Sequence, residues 1–366
     1  MKIAIDISPI VYGTGVSVYI KSLVGELLRV DKKNDYVLFA GSLRRFGDIG
    51  SLVAGLISSA GLLDTNRVKS KLFPLPPTLA DVIWNKMHIL PIERFVGSVD
   101  VFHSSDWTQP PTAAFKVTTI HDLVPIFYPG VSHPKIVAAH TRRLNWVKRE
   151  ADRIIVPSDQ TAQDAIRFGI AKSRIRVIPE AIPGYFKKAK KSEVKRAKRI
   201  FGIRGDYVLM VGTSQRKNIK NAHTAFGHNF QKTGLSLVVV GEKPNNFRSL
   251  PGINFLGHVE EGYMSALFTG AKVFLYPSFY EGFGLPILEA FSCEVPVVTS
   301  NFGSMKDLGG EAAILVDPSS PEEIEQGVIK AIKQRFTLVT NGTKRLGNYT
   351  WEKTARKTLD VYREAT

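Results

Sequence analysis

Glu281 and Glu289 flank seven apolar or glycine residues in "EGFGLPILE", inside the run "FLYPSFYEGFGLPILEAFSCEVPVVTS" at 274–300. Glu289 is the only charged side chain between Gly282 and Ser292. On a helix that is apolar nearly all round, such a carboxylate loses several kcal/mol of hydration, roughly, unless something compensates. It either faces water near a helix N-terminus, where the macrodipole favours an acid by about 0.3–1 kcal/mol, or accepts hydrogen bonds from the hydroxyls of a ligand. Acids do the latter for a ribose diol beside a phosphate-holding helix terminus.

Three other groups have types and positions suited to chemistry. "VGTSQRKN" sets Arg216 and Lys217 after an apolar run, where a guanidinium fork and an ammonium can neutralise a diphosphate. "YGTGVSVYI" puts Gly13 and Gly15 where a ligand can approach backbone amides. "TTIHDLVP" places His121 directly after an apolar strand. Each also has an ordinary explanation: a basic loop, a glycine turn, a structural histidine. The chain has no Asp-x-Asp, His-Glu-x-x-His, cysteine cluster, Walker loop or Gly-x-Ser-x-Gly, so metal-held phosphates and serine hydrolysis find no support.

The elements that must position these groups alternate. "KIAID", "DYVLFA", "DVFHSS", "KVTTI" and "DRIIVPS" read as strands in the first half, and "DYVLMVGT", "LSLVVVG", "KVFLYPS", "VPVVTS" and "AAILV" in the second, with helical runs between them. This pattern predicts parallel sheets wrapped by helices. Ile20, Leu23, Val24, Leu27 and Leu28 mark one face of the first long helix, and Pro286 suits the first turn of a helix beginning near Leu285. "ADRIIVPS" at 151–158 and "AKVFLYPS" at 271–278 echo one another and suggest one architecture used twice. The uncharged segment 49–63 reads either as a mobile or membrane-touching lid or as an ordinary helix and loop.

The chain has 366 residues, 44% hydrophobic and 22% charged, the composition of a two-domain globular protein. The only cysteine, Cys293, excludes an internal disulfide and fits a reducing compartment. Neither a secretory signal nor an apolar run long enough to span a membrane is evident. Of the net charge of +16, residues 187–204 carry nine Lys or Arg against one Glu, 9 − 1 = +8. No nucleic-acid signature accompanies them. An anionic membrane surface and a solvated helix face, with Val194, Ala197 and Phe201 turned inward, both remain open. The expectation is a cytoplasmic protein, peripheral on the inner face of the membrane if this segment docks there.

"EGFGLPILE" resembles the Glu-x7-Glu signature of retaining glycosyltransferase family four, the group-one transferases of GT-B fold. "VGTSQRKN", "INFLGHV" and "GGEAAILVDP" resemble its other landmarks in the expected order, and the glycine loop and "TTIHDLVP" its N-terminal half. The resemblance implies two doubly wound Rossmann-like domains facing a cleft whose closure excludes water. The domains are expected at 1–183, on the acceptor side, and 184–366, on the donor side, with the last helix able to cross back. It implies that Glu281 contacts the donor sugar and Glu289 the ribose diol, and that the amides of Phe283, Gly284 and Leu285 face the sugar and diphosphate. Arg216 and Lys217 neutralise the leaving group, His121 lies near the transferred sugar, Gly13 and Gly15 lie beneath the phosphates, and the loop of Leu256, Gly257, His258 and Val259 meets the base. Two departures stand out: Gly212-Thr213 where many relatives have Gly-Arg, and Lys306-Asp307 where Pro-Glu is common. The implied activity is metal-independent transfer of a hexose from a nucleotide sugar to a glycan or lipid-linked hydroxyl, without a cofactor. Similarity of "TTIHDLVPIFYP" to bacterial mannosyltransferases favours GDP-mannose, with UDP-glucose next. A sugar-nucleotide epimerase and a non-catalytic nucleotide or sugar binder are the alternatives.

Overall fold

The structure is a computed structural model that describes residues 1–61, 66–228, 234–245, 247–248 and 250–366. The chain forms two compact units, Met1–Glu180 with Trp351–Thr366, and Ala181–Thr350.

The first unit is built on seven strands: β1 (Lys2–Asp6), β2 (Asp35–Gly41), β3 (Val68–Phe73), β4 (Val101–Ser104), β5 (Phe115–Thr119), β6 (Arg153–Val156) and β7 (Ile175–Val177). They lie parallel in the order β3-β2-β1-β4-β5-β6-β7. The central strands read as unbroken apolar runs because helices cover both faces of such a sheet. Helix α1 (Gly15–Val30) buries Ile20, Leu23, Val24, Leu27 and Leu28 against it. A fully buried leucine such as Leu27 contributes about 1.5–3 kcal/mol. The helix starts at Thr14, whose hydroxyl accepts from the Ser17 amide while Ser17 Oγ accepts from the Thr14 amide, a reciprocal cap. Helix α2 (Phe46–Ser59) packs Ile49, Val53 and Leu56 into the same core. Segment 49–63 is therefore an ordinary helix through Ser59 with a turn at Ala60 and Gly61; Leu62 and Leu63 lie outside the described residues.

The second unit has six strands: β8 (Tyr207–Val211), β9 (Ser236–Val240), β10 (Ile253–Phe255), β11 (Val273–Tyr276), β12 (Val297–Ser300) and β13 (Ala313–Val316). They are parallel in the order β10-β9-β8-β11-β12-β13. Six strands of the first unit follow the same plan, so the architecture is used twice. The echoing segments do not mark equivalent places, because "ADRIIVPS" holds the sixth strand of its sheet and "AKVFLYPS" the fourth of its own. The basic helix α3 (Lys191–Ile200) buries Ala197 and turns its lysines outward. Helix α4 (Leu285–Ser292) follows β11.

Helix α5 (Trp351–Arg363) belongs to the first unit, where Leu359 and Tyr362 join the core that holds α1. The chain leaves that unit after Glu180, where the sequence had placed the break at 183. Both crossing points are tied together, since Thr354 Oγ1 donates to the Pro179 carbonyl at 2.8 Å and Trp351 meets Tyr19 edge-on at 5.7 Å.

Candidate active site

In the second sheet the chain order reverses between β8 and β11. In open parallel sheets, the carboxyl ends of such a strand pair form the crevice that takes ligands. After β8 the chain makes a short turn, Gln215–Lys217, that carries Arg216 and Lys217. After β11 it delivers Glu281 and then α4. The reversal therefore brings together groups that lie far apart in sequence. Glu281 pairs with Arg216 at 2.5 Å and with Lys217 at 2.8 Å. Arg216 also donates to the Tyr280 carbonyl at 2.7 Å, and Lys217 to the Tyr276 hydroxyl at 2.5 Å, its ammonium 4.5 Å from that ring's centroid.

The backbone fits this cluster. Gly212 has φ +92°, and a Cβ there would come 2.9 Å from Lys217 Cγ, so the lysine stem lies where a larger residue would stand. Asn218 takes the left-handed conformation at φ +62° and is held by its side-chain amide on the carbonyls of Pro277 and Pro318. Ser304 Oγ donates to the Glu281 carbonyl at 2.7 Å. Gly284, at φ +105°, caps α4. No acceptor among the described residues meets the amides of Phe283, Gly284 and Leu285, whereas the Phe283 ring is buried edge-on against Tyr349.

The electrostatics separate the two glutamates. Burial disfavours the Glu281 carboxylate, but Lys217 and Arg216 more than offset it and hold its pKa below the usual value. Burial also lowers Lys217, with Glu281 opposing. Glu289 is half-buried, and no hydrogen bond or ion pair to its carboxylate exists among the described residues. Burial pushes it up to about 7, Lys217 pulling down and Glu261 adding to the rise. It is a carboxylate in a desolvated place with nothing of its own to bind.

The 256–259 loop is fixed differently. Gly257, at φ +65°, exchanges two backbone hydrogen bonds with Gly241, at 3.0 and 3.2 Å, so its amide is already used. Val259 is buried in the core that also holds Phe283, and His258 is exposed. The amide of Gly257 therefore cannot serve a ligand unless that pairing opens.

The first unit carries the remaining residues. Gly13, at φ +65°, and Gly15 are exposed, and a Cβ on either would meet nothing within 4 Å. The fold places no steric demand on Gly15. From α1, Tyr19 puts its ring edge-on to His121 at 4.6 Å. His121 Nδ1 bonds Glu180 Oε1 at 2.7 Å. Burial disfavours the imidazolium, but the bond and charge of Glu180, with Asp106 and Asp122, raise its pKa above the ordinary value. The sequence reading passed over Glu180. Its one signal was being the only charged residue between Arg176 and Lys187 in "VIPEAIPGYF".

Among the described residues no three His, Cys, Asp or Glu side chains converge as a metal site.

The family model for Glycosyltransferase Family 4 matches residues 13–183, and that for Glycosyl transferases group 1 matches 192–352. The chain is 28% identical over 282 residues to O-antigen chain mannosyltransferase B of Escherichia coli, covering 72% of this chain and 74% of that one. It is 23% identical over 269 residues to the serotype-specific mannosyltransferase WbdA of Escherichia coli, 67% of this chain but 33% of that one, so it matches about a third of that protein's length. The crystal structure of Anabaena HepE in complex with UDP and glucose superposes with a TM-score of 0.68 at 15% identity, over 99% of each chain, a likeness of fold. The two family models in succession, on two sheets of this topology, make the chain a member of the family 4, group 1 glycosyltransferases, an enzyme of GT-B fold.

Proposed function

We propose that this enzyme transfers mannose from GDP-mannose to a hydroxyl of a glycan or lipid-linked acceptor, with retention of anomeric configuration and without a metal ion. The observation that carries the reading is the Arg216, Lys217 and Glu281 cluster at the β8–β11 reversal, beside the open amides at the start of α4. Two cations and one carboxylate leave the cluster at +1. A diphosphate placed there gains charge as its bond to the sugar breaks, and fixed cations and amides aimed at that developing charge lower the barrier.

The C1–O bond to the diphosphate breaks and the acceptor oxygen bonds C1 from the same face. The acceptor proton passes to the departing diphosphate oxygen. Glu281 holds both cations in place before the donor arrives and then faces the sugar. Glu289 takes the ribose diol, a role that suits a desolvated carboxylate without a protein partner. His121, oriented through Nδ1 by Glu180, presents Nε2 as a donor toward the transferred sugar.

The names of the mannosyltransferase relatives support the donor. A neighbour that holds UDP and glucose supports UDP-glucose as the second choice. Incubation with both sugar nucleotides, with and without an acceptor saccharide, tests the reading. GDP release that depends on acceptor is expected. Conversion of the donor to an epimer, or binding without turnover, would favour the two alternatives.

A further inference from the structure

The first unit contains a cavity of about 720 Å³ to which no role has been given. Its volume falls in the range of roughly 300–1,000 Å³ typical of small-molecule sites. It opens at the carboxyl ends of β1, β2 and β4, where Ser8, Gly41 and Ser105 line it, and so sits at the reversal point of the first sheet.

Its walls are mostly hydrocarbon: Pro9, Leu75, Pro77, Ala80, Trp84 and Ala138. Of the polar groups among them, Ser8, Trp84 and Asp81 are engaged within the protein, while the Tyr12 and Thr78 hydroxyls and the Trp107 indole N–H make no hydrogen bond among the described residues. Ser8 Oγ donates to Asp6 at 2.5 Å and accepts from the Gly41 amide at 2.9 Å. Trp84 Nε1 donates to the Leu90 carbonyl at 3.0 Å. Asp81 is held by Arg142 at 2.5 Å and by Asn85 at 2.9 Å. A bare sugar would set many of its hydroxyls against the hydrocarbon part of this wall, at about 1–3 kcal/mol for each one left unpaired. An alkyl or prenyl chain carries no such penalty.

The charge at the cavity has one sign. Lys86, Lys135 and Arg142 line it and Asp81 is its only acid, so 3 − 1 = +2. No carboxylate pairs with Lys86 or Lys135 among the described residues, and the buried Arg142 Nε has no partner there. The same wall continues outward as exposed apolar surface at Leu79, Met87 and Leu90, 46%, 59% and 44% exposed. The wall itself is a π-helical turn, Asp81–Lys86, followed by His88 and Leu90 at φ +52° and +60°. Both features are uncommon, and each clusters at ligand sites.

We infer that this cavity binds the hydrocarbon chain and phosphate of a prenyl-phosphate-type acceptor. The chain lies along the 77–84 wall, and the phosphate meets Lys86, Lys135 and Arg142. The role as acceptor rests on the proposed transferase reading; the binding does not.

The test uses decyl phosphate, kept below its micelle concentration, with decanol and methyl mannoside as controls. Binding is read by calorimetry and by the fluorescence of the wall tryptophans Trp84 and Trp107. One decyl phosphate per chain is expected, bound at least about tenfold more tightly than decanol or methyl mannoside, a difference of about 1.4 kcal/mol. Lys86→Gln with Lys135→Gln should erase the preference for the phosphate. Ala138→Phe, which fills the cavity from an exposed helix position, should abolish binding of both chain compounds. Unchanged decyl phosphate binding by the folded Ala138→Phe protein, or tighter binding of methyl mannoside, overturns the inference. Transfer is then measured to mannose carried on decyl diphosphate and to methyl mannoside. A lower KM for the former that is lost in the lysine variant supports the acceptor role. Wild-type protein that binds decyl phosphate yet glycosylates neither compound retains the site and defeats the transferase reading.

Discussion

Glu289 and His121 show how burial and a single neighbour decide what a side chain can do. Glu289 titrates at about 7 because it is desolvated with no partner of its own. Ligand hydroxyls that donate to it favour the ionised form, so GDP should bind more tightly as pH rises through that value and should release a proton on binding. Glu289→Gln should remove this pH dependence and weaken GDP by about 1–3 kcal/mol. Calorimetry one pH unit to either side of the midpoint checks both; equal affinity in the variant would refute the diol role. His121 has the opposite situation. Glu180 stabilises its imidazolium, so that contribution to stability is complete below the ordinary 6.5 and is lost as pH rises through the higher folded value. Glu180→Gln should lower the His121 pKa in an NMR titration and move the basic limb of the activity profile down with it. A shifted histidine with an unshifted profile would remove His121 from the reaction. Residue types and spacing made Glu281, Glu289, Arg216 and Lys217 legible in the sequence. Glu180 was not, because its partner lies 59 residues away and only the fold joins them.

At the scale of elements, the ten strands read from the sequence are all present, and the three it missed, β3, β7 and β10, are all sheet edges. Edge strands are short, or keep charged residues toward water, which blurs the apolar signal. β3 is "VKSKLF", with Lys69 and Lys71 exposed, while β7 and β10 are three residues each. The echo between β6 and β11 pointed to an architecture that is used twice, although the two strands hold different places in their sheets. The basic segment that ends in α3 keeps most of its cations without an acid: Lys188, ahead of the helix, meets Glu294 at 2.5 Å, but Lys187 before it and Lys191, Lys195 and Arg199 within it pair with no acid among the described residues. If the helix docks on anionic lipid, co-sedimentation with anionic vesicles should fail as the Debye length shrinks from about 10 Å at 0.1 M salt to about 3 Å at 1 M. Glutamine at Lys187, Lys188, Lys190 and Lys191 should abolish it at low salt. Equal sedimentation of wild type and variant would leave α3 as a solvated face.

At the scale of the whole molecule, the chain's return to its first unit is structural. Tyr362 is fully buried and bonds His103 Nδ1 at 2.7 Å, and burial holds His103 neutral with a pKa of about 3. Tyr362→Ala removes a large core side chain and strands that imidazole, so unfolding free energy by denaturant titration should fall by about 3–5 kcal/mol. A loss below about 1 kcal/mol would mean α5 is dispensable to the first unit. The duplicated sheet order gives each unit a strand reversal: the glycine loop follows β1 at one and the cation cluster follows β8 and β11 at the other, while His121 follows β5, one strand beyond the first reversal. The central claim, that the cluster drives a metal-independent transfer with retention, is tested most directly by following GDP-mannose and a saccharide acceptor by NMR with excess chelator present. The account predicts acceptor-dependent GDP release and a new mannoside with the α configuration of the donor. A β-linked product, or turnover that begins only when a divalent metal is restored, would contradict it.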